Sequence, residues 1–289
     1  MKNLLPSLCI CLSVFFLASC SSNQNDPTSP DNPDHPELPQ SDSAKYIHEI
    51  VAYHPAPGQF INQKIGTLEG AKALIGNKDH LLSLGAFGGS VVVGFSPAIQ
   101  NLDGNDFVIY GNAFTGSSEM GIVAVAEQED GPWYELKGSE YEAPETIKGY
   151  EVTYHKPQNE LDDIIWTDNE GKSDTVKYMG QLTQNKQSHW PANESKDFTV
   201  SGTRLKSFTA IENGKIVNQK PEGGFGYADM SIGGDAFDID WAVDENGHAK
   251  KLQQIRYIKV YTGLQVNASI LGEVSTEIKG IENLHYSAK

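Results

Sequence analysis

Two carboxylate pairs, Asp238 with Asp240 and Glu135 with Glu140, lie close enough in the chain to serve as the acid and base of a glycoside hydrolase. Asp238 and Asp240 are two residues apart in an alternating run, so on a strand they would share one face opposite Phe237, Ile239 and Trp241. A solvated sheet face has the same pattern, and that is the plainer reading. Other catalytic signatures are missing. Gly116-Ser117-Ser118-Glu119-Met120-Gly121 does not form a G-x-S-x-G elbow, and His48-Glu49 has its next histidine at His54, too far on for an H-E-x-x-H zinc helix. The sequence thus reads as a binding protein without turnover.

A hard cation needs several oxygen ligands, and Asp103, Asn105 and Asp106, or Asp235 with Asp238, could supply them to a structural calcium ion. Turn residues without an ion fit the same spacing. The aromatic residues point to binding. Trp133, Trp190 and Tyr227 fall near strand ends or in loops, where flat rings can stack on a planar ligand or a sugar. Asn112, Glu119 and Asp229 would add hydrogen-bonding groups beside them. Trp241, inside an alternating run, reads as core.

With 38 Asp+Glu against 22 Lys+Arg, the net charge of −16 disfavours nucleic acid and anionic lipid as partners. The first residues give a different link to membranes. MKNLLPSLCICLSVFFLASC has a basic start, an apolar stretch and small residues before Cys20, the pattern of a secretory signal. Its end resembles the lipobox of bacterial lipoproteins, which implies that Cys20 is acylated and becomes the new N-terminus. The other cysteines, Cys9 and Cys11, would leave with residues 1–19, so disulfides and thiolate metal sites are excluded from the mature chain. Residues 20–44 then carry proline at 27, 30, 33, 36 and 39, a polyproline II or disordered tether with no core of its own.

Residues 45–289 must position whatever site exists, and they read as one β domain. Strand-like runs recur at 90–95, 106–110, 121–126, 133–137, 150–155, 164–166, 198–203, 237–243 and 255–261. Asp103-Gly104, Asp130-Gly131, Asn213-Gly214 and Asn246-Gly247 supply turns between runs. Helix signal is confined to Leu68 to Ile75 and Gly180 to Lys186. The expected fold is all-β, a single β-sandwich or jelly roll. In SLGAFGGSVVVGF, residues 83–95, the glycines precede three valines rather than a helix, so they relieve crowding at a strand start and do not cradle a phosphate.

Once these stretches are located, a family resemblance emerges. PAPGQFIN (55–62), SLGAFGGSVVVGF, DFVIYGNAF (106–114), GIVAV (121–125), WYELKGSEY (133–141), WTDNEG (166–171), SGTRL (201–205), GYAD (226–229), FDIDWAVDENG (237–247), IKVYTG (258–263) and LGEVSTEI (271–278) together resemble a family of Bacteroidota "cell surface protein" lipoproteins. The resemblance implies an outer-membrane, surface-exposed lipoprotein that binds vitamin B12 or another corrinoid and passes it to a TonB-dependent transporter. Trp190, Tyr227 and Trp133 would then stack on the macrocycle, and Asn112, Glu119 and Asp229 would bond its amide side chains. His189 is a candidate cobalt ligand, with a hydrogen-bonding loop histidine as the ordinary alternative. A carbohydrate-binding lipoprotein of a glycan-uptake system is the second expectation, and a glycoside hydrolase the third. The chain departs from the family pattern at Glu127–Pro132, where a calcium-competent Asp/Asn/Gly-rich loop is usual. It also departs at Ser118-Glu119-Met120-Gly121, where Cys-Glu-Pro-Gly is common, and at Met230, where Asn is usual.

Overall fold

The alternating runs pair into antiparallel sheets, and two of these face each other. The computed structural model describes residues 44–180, 187–212, 215–268 and 272–286. Cys20, the tether, the run 181–186 and the Asn213-Gly214 turn lie outside the described residues. The larger sheet orders β1 (Glu49–His54), β3 (Ser90–Gln100), β15 (Gln254–Thr262), β5 (Gly121–Ala126), β6 (Tyr134–Leu136) and β14 (Ala242–Val243). Facing it is a four-stranded sheet in the order β13 (Asp235–Phe237), β4 (Phe107–Gly111), β16 (Glu277–Asn283) and β2 (Leu82–Ser83).

Register explains why these residues meet. Ile258 lies opposite both Val93 and Val125, so one row of β-branched side chains crosses the centre of the large sheet. That row and its neighbours pack with Phe107, Ile109, Phe237, Ile278 and Ile281 of the second sheet in one buried core. Phe107 and Phe237 stack at 5.2 Å. The architecture is an all-β sandwich, as the alternation predicts. Tyr53 spans the layers and donates its hydroxyl to the Ser83 carbonyl at 2.7 Å, in a buried bond. Tyr53→Phe is expected to lower stability by about 1–2 kcal/mol, a loss that equilibrium urea unfolding would register.

Two further sheets flank the sandwich. β7 (Ile147–Tyr154), β8 (Ile164–Asp168), β9 (Ser173–Val176) and β10 (Phe198–Arg204) form a second four-stranded sheet in the order β10-β7-β8-β9. It closes a small core of its own around Phe87, Tyr150, Tyr154, Trp166 and Trp190. β11 (Thr209–Glu212) and β12 (Lys215–Asn218) form a two-stranded ribbon. The glycines of SLGAFGGS sit where the third sheet meets the sandwich. Gly85 has a φ of +78°, and a side chain there would strike the Ala56 carbonyl; one on Gly88 would strike Val200 of β10 at 2.5 Å. These glycines do serve the fold.

Helix content is small, as expected. α1 (Leu68–Lys72) starts where the Thr67 hydroxyl accepts the Gly70 N–H at 3.1 Å, and it is shorter than the 68–75 run suggests. Among the described residues no helix is long and apolar enough to cross a membrane.

One run departs from expectation in a way that bears on function. Residues 237–243 are not a single strand. β13 ends at Phe237, Ile239–Trp241 form a 3-10 turn, and β14 follows. The Asp238 carboxylate accepts the Asp240 N–H at 2.8 Å and so caps the turn. Asp238 and Asp240 therefore do not share a strand face as a catalytic pair would. Trp241 is half-buried against the main core.

Candidate functional site

Of the six residues expected to bind ligand, three converge. Asp229 sits at a φ of +56°, a left-handed conformation that Asp tolerates better than most residues because its short polar side chain can bond locally. Its Oδ1 accepts the N–H groups of Asn112 at 2.8 Å and Ala113 at 2.9 Å, and its Oδ2 accepts that of Glu277 at 2.9 Å. One side chain thus joins the end of β4, the start of β16 and the 226–234 loop. Gly111 makes this approach feasible, since any side chain there would collide with the Asp229 carboxylate and lie 2.9 Å from its Cα.

Glu119 and Glu277 complete the group. The Glu119 backbone donates to the Asp229 carbonyl at 3.0 Å, and its own carbonyl accepts the Thr276 hydroxyl at 2.7 Å. Glu277 Oε2 accepts the Asn112 side-chain amide at 2.7 Å. Carboxylate oxygens of Glu119, Asp229 and Glu277 all lie within 4.8 Å of one another. Asp229 and Glu277 are buried and Glu119 is half-buried. Among the described residues, none of the three has a salt-bridge partner.

The electrostatics follow from that arrangement. Burial pushes the Glu277 carboxyl up to about 7. Burial, reinforced by the charges of Glu277 and Asp229, raises Glu119 well above the ordinary carboxylate range. Asp229 is also raised, by burial and by Glu277, against the opposing pull of its backbone donors. The cluster is a concentration of negative potential that favours a proton or a cation.

The aromatic expectations are corrected. Trp190 is 5 % exposed; its ring lies edge-on to Phe198 at 5.3 Å and its indole N–H donates to the Glu194 carbonyl at 2.7 Å. Asn62, which donates to the carbonyls of Ser188 and Trp190 at 2.8 and 2.7 Å, turns that loop inward. Tyr227 is 1 % exposed, its hydroxyl accepting the Glu140 N–H at 2.9 Å while Gly138 passes against its ring. Neither ring can stack on a ligand at the rim. Trp133 is half-buried beside Gly131. His189 is buried against Tyr178 at 4.7 Å, and burial lowers it to about 4, so it cannot reach an external cobalt.

The other carboxylates are committed to the fold. Asp106 is fully buried and accepts the Leu102 and Ile239 N–H groups at 2.9 and 2.8 Å, with His285 Nε2 at 2.7 Å. Asp235 accepts from Met230 and Ser231. Asp106 and Asp235 thus spend carboxylate oxygens on backbone amides of the fold. Glu135 accepts the Thr203 hydroxyl at 2.8 Å.

Sequence reading missed the surface beside the cluster. An open groove of about 360 Å³ is lined by Phe114, Thr115, Ser118, Asn218, Lys220 and Ile232, among others. Phe114 is 64 % and Ile232 71 % exposed, so the groove has two bare apolar side chains among amide, hydroxyl and ammonium groups. Its wall shares backbone with the cluster. Phe114 follows the Asn112 and Ala113 amides held by Asp229, and the Ser118 hydroxyl donates to the Met230 carbonyl at 2.7 Å. The only sequence signal was an apolar residue in each of two turn-rich loops. A comparison with known protein families finds no family model that matches the chain, and a comparison with curated proteins finds no match.

Proposed function

We propose that this chain is a lipid-anchored surface protein that captures a corrinoid in the groove between Phe114 and Ile232 and hands it to an outer-membrane TonB-dependent transporter. The observation that carries the reading is the groove's mixed chemistry. A corrinoid presents apolar ring faces with amide side chains around its edge. Phe114 and Ile232 would cover part of a face, while Asn218, Thr115, Ser118 and Lys220 would meet the amides. The family resemblance of the sequence supports the ligand class, and the lipobox before Cys20 supports the anchoring. At about 360 Å³ the groove takes only one edge of so large a ligand, which leaves the remainder accessible for transfer.

The test is calorimetric titration of the protein with cyanocobalamin, with a panel of plant and host glycans as the parallel arm. Saturable binding at micromolar affinity or tighter is expected with cyanocobalamin. The double variant Phe114→Ser/Ile232→Ser is expected to weaken it at least about tenfold, equivalent to about 1.4 kcal/mol, without lowering the melting temperature, because both side chains are exposed. An unchanged affinity in the variant would remove the groove from the assignment. Heat from a glycan alone would move the protein to carbohydrate binding.

A further inference from the structure

Lys259, on the outer face of the large sheet, is a half-buried amine without a counter-charge. Ile258 of β15 packs into the sandwich core, so Lys259, the next residue, points to the opposite face. Register sets it in a row of small and apolar neighbours. Ala52 lies opposite Val92, Val92 opposite Lys259, and Lys259 opposite Ala124. The Lys259 Nζ stands 5.6 Å from the centre of the Tyr261 ring. Among the described residues it has no hydrogen-bond acceptor and no salt-bridge partner. The row ends at Glu135, opposite Ala124, but that carboxylate accepts the Thr203 hydroxyl instead. We propose that Lys259 is a nucleophilic amine that captures aromatic aldehydes as imines.

The chemistry follows from where the amine sits. β10 covers part of this face: the Thr203 N–H donates to the Tyr261 hydroxyl at 2.9 Å, and Gly202 passes against the Tyr261 ring. Elsewhere on the face Ala52, Val92 and Tyr257 are only half-buried. Lys259 thus has apolar surroundings and remains open to a small molecule. An ammonium in such a place loses water without gaining a carboxylate, which favours the neutral amine. Burial alone accordingly lowers Lys259 from the usual lysine value. The neutral form has the lone pair that attacks a carbonyl carbon, and desolvation among apolar groups is one way a lysine is activated. Nζ adds to the aldehyde carbon, two N–H protons leave with the carbonyl oxygen as water, and a C=N bond remains. Tyr257, two positions back on the same face, offers a ring against which an aromatic aldehyde can lie.

The probe is pyridoxal, an aromatic aldehyde without the phosphate that the chain's net charge of −16 would repel. No corrinoid is present, so the outcome is independent of the groove. Full-length protein in detergent is exposed to pyridoxal at neutral pH for a series of times, the imines are fixed with borohydride, and the adduct at each lysine is quantified by peptide mass spectrometry. Lys64, Lys172 and Lys251 are exposed and lack salt bridges among the described residues, and they serve as internal standards. Lys259 is expected to be modified at least about threefold faster than any of the three. The advantage should vanish in guanidinium chloride, where the fold that desolvates the amine is gone. The proposal is overturned if folded protein is modified at Lys259 no faster than at the standards. It is equally overturned if the advantage persists after unfolding, which would assign it to the local sequence and not to the sheet face.

Discussion

Asp229→Ala is expected to remove about 3–5 kcal/mol of unfolding free energy, the largest single-site loss outside the apolar core. The alanine would strand three backbone donors, at Asn112, Ala113 and Glu277, that now reach one carboxylate at 2.8–2.9 Å. It would also place a side chain without local polar bonding at a φ of +56°. Asp229→Asn keeps the left-handed preference and one acceptor oxygen, so about half that loss is expected. Urea unfolding followed by tryptophan fluorescence would measure both. A loss below about 1 kcal/mol for the alanine variant would mean that the three amides find other partners, and that Asp229 does not hold β4 to β16.

The second large effect is a fall in stability with rising pH, opposite to the trend set by salt-bridged acids. Burial pushes Glu135 up to about 7 against the Thr203 hydroxyl, and Glu273 up to about 8 against the Gln59 N–H, from an ordinary value of 4.5. A carboxyl whose pKa is higher in the folded chain binds its proton more tightly when folded. Its stabilisation is complete below about pH 4.5 and is lost as the pH climbs through 7 and 8. At about 1.4 kcal/mol per unit, discounted for the partial exposure of Glu135, the two amount to several kcal/mol by pH 9. Glu277 acts in the same direction. Acids with lowered values set the other limit. In Glu282 burial is outweighed by hydrogen bonds from Tyr110, Lys45 and Lys78, and in Asp163 by Lys177 and the Tyr178 amide. Their contribution disappears as the pH falls below about 4. Chelator-treated protein should therefore be most stable near pH 5, and Glu273→Gln should flatten the alkaline decline. Urea midpoints that rise between pH 5 and pH 9 would refute this.

Much of the fold could be read from period-two runs with one buried face. Ile255 to Tyr261 alternates cleanly, and the strand found there, β15, extends one residue beyond it at each end. The misreading at 237–243 shows the limit. Phe237, Ile239 and Trp241 satisfy the alternation, but Asp238 can bond a backbone amide two residues on, and that local bond competes with the strand. β16 was missed because its Lys279-Gly280 interrupts the apolar pattern and its pairing with β4 shifts register there.

The candidate site was half legible. Asn112, Glu119 and Asp229 were visible as polar groups in loops, and the structure gathers them. Glu277 was not, because an acid on a strand ordinarily reads as facing water. Trp190 and Tyr227 were misjudged for a related reason. Loop placement says where a backbone runs and not which way a ring points; Asn62 in one case and a passing Gly138 in the other turn the rings inward.

The place of β16 in its sheet has a bearing on biogenesis. Residues 277–283 lie between β4 and β2, so the smaller sheet cannot close until segments far apart in the chain, at 82–83, 107–111 and 277–283, have met. Glu119 and Asp229 are translated well before Glu277, and their cluster has no third member until that segment docks. A nascent chain, or one truncated before β16, would carry the groove's residues without the frame that fixes them. The smaller sheet and the carboxylate cluster would thus form together, because both wait on the same long-range pairing of β16.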